Sequence, residues 1–368
     1  MPGQSAIRNP QSKIGPPLAL PALPAQPLVS VLIASYNYEA FLGEALESVL
    51  AQSYPHFEGI VCDDGSTDGS RAVAARYAER DARIRLIAKD NGGVASALNA
   101  AYAACQGDIV ALLDADDFFA PDKLARVVAC FQRRAEAGLV LHAMHVIDSR
   151  ARVLRRLPSG SACEHGWLAE TVRARGGRWR SMPASALAFR HAVVEQLFPI
   201  PEPAFRSEAD GFLATLAALL TEVAYVPEAL ASYRLHGANL TGTLRLNQAV
   251  TERSLDALRR KNEAVNARLT ELGMPARHFA LEDNLNFHEQ TFMQALFAGV
   301  PRRSLLHAYA RLRRALLADD LYSPLRKVGG LAAFGTAIVL PVAARTPWLN
   351  RILGARGLRR VFRVLSRA

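Results

Sequence analysis

The sequence predicts an α/β fold in which a mostly parallel central sheet is flanked by helices and followed by a C-terminal helical region. Short apolar runs alternate with amphipathic stretches as far as residue 150, which is typical of strand–helix–strand units. Polar, turn-forming loops follow the apolar runs, as expected at the carboxyl edge of a parallel sheet. From residue 248 onward the pattern is helical. A chain of 368 residues that is 50% hydrophobic is long enough for one large domain with an accessory region.

Short, continuous apolar runs predict strands that are buried on both faces of the sheet. The stretches between these runs place apolar residues at helical spacing, so each strand is predicted to lead into a helix. Between residues 150 and 203 the pattern is less regular, and a helix over 212–220 and a strand over 223–226 follow. The runs cover residues 29–34, 57–62, 84–88, 109–113 and 139–146.

Composition divides the chain into four parts. Residues 1–27 are rich in proline and alanine, lack the features of a signal peptide and predict a disordered leader. Residues 28–245 carry the α/β pattern, residues 246–320 form a helical accessory region, and residues 321–368 form a basic tail. The four cysteines are scattered without a Cys-x-x-Cys pair, which predicts a reducing cytoplasm and no zinc site. Cys62 and Cys105 lie in apolar patterns, which predicts buried thiols.

The net charge of +10 is concentrated in the tail, because residues 321–368 contain nine Lys and Arg and no acid. Such asymmetry predicts an acidic partner surface, and we favour anionic lipid over nucleic acid. The apolar stretch 329–344 is shorter than the roughly 20 residues that span a bilayer, so we predict an interfacial or packed segment. Near the end of the chain, one helical face is apolar and the opposite face carries arginines. Both a helix on a membrane surface and a helix packed on its own domain explain this pattern. The apolar face holds Leu358, Val361, Phe362 and Leu365.

The strongest chemical signal is the run Leu112-Leu113-Asp114-Ala115-Asp116-Asp117, which places three carboxylates at the end of an apolar strand. Open α/β sheets bind their ligands at this position. Hard oxygen ligands suit Mg²⁺ or Mn²⁺, and through the ion a substrate diphosphate. Taken alone, the pattern also fits a solvated acidic turn, so the neighbouring motifs decide between the two interpretations.

The acidic run belongs to an ordered set of motifs that follow successive predicted strands. With these motifs, the segment from about residue 28 to residue 242 resembles the family 2 glycosyltransferases of the GT-A fold, a Rossmann-like architecture. The remaining motifs are Ser35-Tyr36-Asn37, Asp63-Asp64-Gly65-Ser66, Asn91-Gly92-Gly93 and Pro121-Asp122-Lys123-Leu124.

The resemblance implies an inverting enzyme that transfers one sugar from a nucleotide-diphosphate sugar, with a UDP-sugar favoured. The implied acceptor is a hydroxyl of a cell-envelope glycan or lipid-linked molecule, reached from the cytoplasm at the inner membrane face. The roles of Asp63 and Asp117 are left open. Asp63 is a candidate loop cap, and Asp117 is either a helix-start acid or a support for Asp116. The implied donor contacts are Ala34, Ser35 and Tyr36 at the base pocket, Asp64 on the base ring, Asp114 near the ribose and donor sugar, and Asp116 as the Mg²⁺ or Mn²⁺ ligand.

The resemblance also implies a carboxylate general base directly before a helix. Asp210 takes that position, but the Glu that usually precedes the base is replaced by Ala209. Glu208 is therefore the reserve candidate, and a helix N-cap is the structural alternative for Asp210. Further along the chain, Arg234 or His236 is implied to contact the diphosphate or to close a loop over it.

Processive synthases of this family carry a Gln-x-x-Arg-Trp motif, which this chain does not match. Arg175 stands where Gln should precede Arg178-Trp179, so we predict a non-processive enzyme. Two alternatives stay open. One is a catalytically inactive nucleotide-sugar-binding protein, motivated by Ala209. The other is a sugar nucleotidyltransferase, which requires a glycine-rich basic loop that residues 28–37 lack.

Overall fold

The computed structural model describes residues 14–158, 163–236 and 247–353. The described residues fall into two compact units. The first takes in the residues up to Glu170, together with Arg180–His236 and Ala267–Arg277. The second takes in Thr171–Trp179 and the described residues from 247 to 266 and from 278 onward, so the predicted accessory region and tail both contribute to it.

A mixed sheet forms the centre of the first unit. Its strands lie in the order β3-β2-β1-β4-β8-β6-β9-β5, and β7 pairs with β6. The strands β3, β2, β1 and β4 are parallel, whereas β8 runs antiparallel to both β4 and β6. The strands are β1 (Val29–Ser35), β2 (Phe57–Asp63), β3 (Ile84–Ala88), β4 (Ile109–Asp114), β5 (Phe118–Phe119), β6 (Ala137–Asp148), β7 (Val153–Leu157), β8 (Leu187–Arg190) and β9 (Glu222–Leu235).

Helices cover this sheet, as the alternating pattern predicts. In α1 the residues Leu42, Leu46 and Val49 are buried at helical spacing, and α7 is buried from Phe212 to Leu220, as expected of a helix that is apolar all round. The α/β prediction is confirmed, while the antiparallel β8 lies inside the stretch that has no regular pattern. The helices of this unit are α1 (Glu39–Leu50), α2 (Ser70–Arg80), α3 (Val94–Ala103), α4 (Lys123–Arg133), α6 (His191–Leu197) and α7 (Asp210–Leu220), and the short helix α5 (Ala169–Ala174) begins in the first unit and ends in the second.

The described part of the predicted leader is packed rather than free. Ile14 is 5% exposed, and the Leu18 N–H donates to the Leu220 carbonyl oxygen over 2.8 Å. The buried guanidinium of Arg277 donates to the carbonyl oxygens of Ile14 and Pro16. These long-range hydrogen bonds order residues that carry no helix or strand pattern of their own, so the expected disorder does not extend to residues 14–27.

The second unit is helical. Its helices α9, α10 and α11 share an apolar core that includes Phe292, Leu312 and Phe334. The predicted apolar stretch 329–344 is packed there, because Ala333, Phe334, Ala337 and Ile338 of α11 are buried. In the part of the chain that is described, no helix is long and apolar enough to cross a membrane. The predicted amphipathic face at 358–365 lies outside the described residues. The remaining helices are α8 (Gln248–Glu271), α9 (Leu285–Phe297), α10 (Arg302–Ala318), α11 (Pro324–Val339) and α12 (Val342–Leu353).

Candidate active site

The carboxyl ends of three parallel strands meet at one edge of the sheet. Ala34 of β1 pairs with Asp114 at the end of β4, and Ser35 pairs with Asp63 at the end of β2. Two loops and an acidic turn therefore begin side by side, where open α/β sheets bind their ligands. The structure brings the predicted base pocket and the predicted metal ligand to the same edge.

Three carboxylates occupy the turn that follows β4. Asp116 and Asp117 are buried, with 6% and 1% exposure, and Asp114 is partly exposed. The Asp117 N–H donates to the Asp114 carbonyl oxygen over 3.0 Å and closes the turn. Burial and the neighbouring carboxylates of Asp117 and Asp116 raise the pKa of Asp114 well above its usual value. Burial and the charge of Asp116 also raise the pKa of Asp117. A bound cation would relieve this repulsion.

The end of β9 supplies two residues that contact the acidic turn. His236 Nε2 lies 2.8 Å from Asp116 Oδ2. Arg234 donates from its backbone N–H to Asp117 Oδ1 and from Nε to the Asp116 carbonyl oxygen, both over 2.9 Å. The buried Arg234 guanidinium also pairs with Glu44 of α1. Arg234 therefore holds the turn in place, and His236 faces the carboxylate that is predicted to bind the metal.

Asp64 holds the loop that follows β3. Its Oδ1 accepts hydrogen bonds from Lys89 Nζ over 2.8 Å and from the Gly92 N–H over 3.0 Å. Its Oδ2 accepts from the Gly93 N–H over 2.7 Å. At Gly93 the backbone has a φ of +92°, a conformation that favours glycine. The carboxylate is 2% exposed, so it organises the pocket wall, and its contact with a base ring stays a prediction.

Two buried polar atoms beside the base pocket lack hydrogen-bond partners among the described residues. They are Ser35 Oγ and Asp63 Oδ2, which belong to paired positions on neighbouring strands. The other oxygen of Asp63 accepts from Arg71 Nε over 2.9 Å and from the Ser66 N–H over 3.2 Å, consistent with its role as a loop cap. Tyr36, the residue after Ser35, is 45% exposed. Buried polar atoms without protein partners are able to hydrogen-bond water or a bound ligand.

The base candidate Asp210 is the first residue of α7. The cap position belongs to Ala209, which is 2% exposed, so Asp210 is not the helix N-cap. The charge of Asp210 contributes to the raised pKa of Asp114. The base candidate therefore lies close enough to the acidic turn to act on it. Glu208 is exposed and has a φ of +63°. Both candidates thus stand at one helix start, and it is the charge of Asp210 that acts on Asp114.

The sequence patterns assign no role to three side chains that lie next to the acids. Ser185 is fully buried and donates to Asp117 Oδ2 over 2.7 Å. Lys123 is fully buried on the apolar face of α4, and its i+4 spacing to Val127 is the signal that could have indicated this. Burial and the three acids raise the pKa of Tyr38. Ser185 and Tyr38 carry no comparable local signal.

The donor set around Asp116 fits a divalent ion in part. Within the described ranges, no group of three or more His, Cys, Asp or Glu side chains is arranged to hold a metal ion. Asp116 and His236 nevertheless bring a carboxylate and an imidazole together at one point. Mg²⁺ and Mn²⁺ sites in nucleotide enzymes commonly take one or two protein ligands and complete the shell with substrate phosphates and water. The residues present therefore fit a metal that binds together with a diphosphate.

Comparison with known proteins decides the family. The model of glycosyl transferase family 2 matches residues 30–198. A relative described as an uncharacterized glycosyltransferase of Nostoc sp. is 35% identical over 270 residues, which cover 72% of this chain and 83% of that protein. The chain belongs to glycosyltransferase family 2. It is thus a glycosyltransferase, as the ordered motifs predict.

Two further comparisons place this family 2 glycosyltransferase among related proteins. TuaG of Bacillus subtilis, whose name assigns it provisionally to teichuronic acid biosynthesis, is 41% identical over 111 residues, or 30% of this chain and 44% of that protein. The structure of S. aureus TarS 1–349 in complex with UDP-GlcNAc superposes with a TM-score of 0.52 and 17% identity, covering 87% of this chain and 90% of that chain. At this identity the TarS comparison shows the fold alone, and it confirms the predicted GT-A fold.

Proposed function

We propose that this glycosyltransferase is an inverting, non-processive enzyme that transfers one sugar from a UDP-sugar to a hydroxyl of a cell-envelope glycan or lipid-linked acceptor. The observation that carries the proposal is the meeting of three features at one sheet edge. These are the acidic turn at Asp114 and Asp116, the unsatisfied atoms of the base pocket, and a carboxylate at the start of α7. Donor recognition, stabilisation of the leaving diphosphate and deprotonation of the acceptor each have a candidate group here.

The donor would lie along the edge from the base pocket to the acidic turn. Ser35 Oγ and Asp63 Oδ2 are available to hydrogen-bond the base, and the exposed ring of Tyr36 is available for stacking. Asp114 pairs in the sheet with the residue directly before Ser35. This register supports a ribose or donor-sugar contact for Asp114, one strand away from the base.

Asp116 and His236 would hold a Mg²⁺ or Mn²⁺ ion, with the donor diphosphate completing the shell. When bound, the ion would act as a Lewis acid that offsets the negative charge of the leaving nucleotide. Arg234 donates from Nε to the carbonyl oxygen of Asp116 and from its backbone N–H to the carboxylate of Asp117, so it holds the turn on the C-terminal side of Asp116. Its buried guanidinium keeps Asp116 aimed at the site, and a direct diphosphate contact of Arg234 stays a prediction.

Asp210 would remove the proton of the acceptor hydroxyl as the hydroxyl attacks the donor carbon from the face opposite the diphosphate. Its position at the first turn of α7 places it near the positive end of the helix dipole, which favours the ionised carboxylate. The charge of Asp210 acts on Asp114, so the base candidate lies close to the acidic turn that is proposed to bind the donor. A carboxylate in this position can accept the proton of an acceptor hydroxyl that approaches the donor.

A catalytically inactive donor-binding protein is the second candidate. The observation in its favour is Ala209, which fills a buried position with a methyl group where the family usually has a carboxylate. Such a protein would bind a nucleotide sugar with a metal ion and would release no nucleotide. Turnover, measured as release of UDP from UDP-sugars, therefore separates the two candidates.

A thermal-shift screen tests the donor class. With UDP, GDP, dTDP and CMP compared in the presence of Mn²⁺, we expect UDP to stabilise the protein most. Binding at a hundredfold excess over Kd would add about 2.7 kcal/mol to the free energy of unfolding. Removal of Mn²⁺ with EDTA is expected to remove most of the shift. Equal, metal-independent shifts for all four nucleotides would contradict the proposed donor site.

We further propose that the basic tail region docks on anionic membrane. The exposed side chains of Leu325, Val328 and Val339 lie along one face of α11, and residues 321–368 carry no acid. Apolar side chains beside Lys and Arg fit a surface of anionic lipid.

Flotation with vesicles of phosphatidylglycerol and phosphatidylcholine tests the docking face. Replacing Val328 and Val339 together with Asp should weaken vesicle binding by at least about tenfold, because two apolar contacts are lost. The matched control replaces Val153 and Leu154, which are exposed on β7 of the first unit, with Asp. Equal flotation of both variants and the wild type would contradict docking through α11.

A further inference from the structure

A buried serine connects the two ends of the acidic turn. Ser185 lies in the short 3₁₀ turn Ala184–Ala186 that leads into β8 and is fully buried. Its hydroxyl donates to Asp117 Oδ2 over 2.7 Å and accepts from the Asp114 N–H over 3.0 Å. One hydroxyl therefore ties the backbone of the first acid to the carboxylate of the last, with Asp116 held between them.

A buried lysine holds this serine from the other side. Lys123 Nζ donates to the Ser185 carbonyl oxygen over 2.8 Å and lies 3.3 Å from the centroid of the Phe119 ring. The side chain is fully buried. Burial lowers the pKa of Lys123 well below its usual value, and the charge of Asp117 opposes that shift. Burial and, to a smaller extent, the charge of Lys123 also lower the pKa of His142, which is fully buried as well.

Burial of an amine here is costly, and an apolar side chain at the start of α4 would pack without that cost. The contacts of Lys123 offset the cost through Ser185, the Phe119 ring and the charge of Asp117. Two of these contacts, the Ser185 carbonyl oxygen and the charge of Asp117, involve the acidic turn or the serine that ties it, and the third is a ring of β5. The lysine thus serves the geometry of the acids rather than the packing of α4.

We propose that Ser185, held by Lys123, is a positioning residue for sugar transfer that fixes the acidic turn so that Asp114 meets the ribose or donor sugar and Asp116 meets the metal and diphosphate. This inference rests on the proposed function, because it requires those two acids to contact the donor and its metal. Without the hydroxyl, the Asp114 N–H and one oxygen of Asp117 lose their buried partner. The turn would then shift to find other partners, and small displacements in such sites are costly to the rate.

The test compares Ser185→Ala, Ser185→Thr and Lys123→Met with the wild type. Binding of UDP in the presence of Mn²⁺ is measured by calorimetry, turnover by UDP release, and folding by thermal unfolding. Ser185→Ala should weaken Mn²⁺-dependent UDP binding by roughly 10- to 100-fold, as expected for lost hydrogen bonds to a charged group. Ser185→Thr, which keeps the hydroxyl, should restore most of the affinity. Lys123→Met should act in the same direction as Ser185→Ala.

Ser30→Ala is the matched control. Ser30 is also fully buried and also joins two groups, because it donates to Glu58 and accepts from the Gly107 N–H. It lies near the start of β1, at the other end of the strand from the candidate site. Ser30→Ala should lower thermal stability without changing UDP affinity.

If Ser185→Ala also lowers only stability and the folded protein binds UDP with Mn²⁺ as the wild type does, Ser185 is merely structural and the inference is overturned. A wild-type protein that binds no UDP with Mn²⁺ would instead overturn the proposed function, and this inference with it. The two failures are therefore distinguishable by the behaviour of the wild type.

Discussion

Replacing Asp116 with Asn should lower turnover by about 1,000-fold, because loss of metal-assisted charge stabilisation costs several kcal/mol in the transition state. The substitution keeps the shape of the side chain and removes its charge. The substitution leaves His236 unchanged, and its Nε2 still faces the side chain at position 116. Turnover is followed as UDP release over a Mn²⁺ titration, and the titration should show weaker, poorly saturating metal dependence.

Asp122→Asn is the control for this substitution. Asp122 precedes α4 and pairs with Arg126 Nε over 3.0 Å at the protein surface. The substitution removes a carboxylate that lies close to the acidic turn in the sequence. Because exposed ion pairs of this kind contribute little to stability, the fold should be unaffected. We expect wild-type turnover and Mn²⁺ dependence. An Asp116→Asn variant that matched the control would exclude Asp116 as the metal ligand.

Replacing Asp210 with Asn should lower kcat by about 10²- to 10⁴-fold, the usual contribution of a general base. Binding of UDP with Mn²⁺ should change little, because Asp210 is proposed to contact the acceptor rather than the donor. The separation of the two effects is the signature of a base. Calorimetry with UDP and Mn²⁺, together with kcat at saturating donor, measures both.

Glu208→Gln is the matched variant for the reserve base. The two carboxylates lie two positions apart at the same helix start, but Glu208 is exposed, whereas the charge of Asp210 acts on Asp114. We expect Glu208→Gln to keep near wild-type kcat. If Glu208→Gln is inactive while Asp210→Asn turns over normally, the assignment of the base is reversed. If both retain full activity, the base lies elsewhere.

The first four strands and their loops could be predicted because their signals are local. A continuous apolar run followed by turn residues identifies a buried strand and its end, so the positions of Ser35, Asp64 and Asp114 were predictable from the sequence. The C-terminal limit of β9 was not. Only residues 223–226 had a clear strand pattern, whereas the strand runs to Leu235 because it pairs along most of β6. This pairing carries Arg234 and His236 to the acidic turn.

The residue types thus indicated the family, the sheet edge and the group of candidate side chains, since each is encoded in short stretches of chain. The separate tasks of the three acids depend on the tertiary structure. Asp116 faces His236 across 120 positions of sequence, and Asp117 is tied to Ser185 across 68 positions. Contacts between residues so far apart follow from strand order and register, which no local pattern specifies.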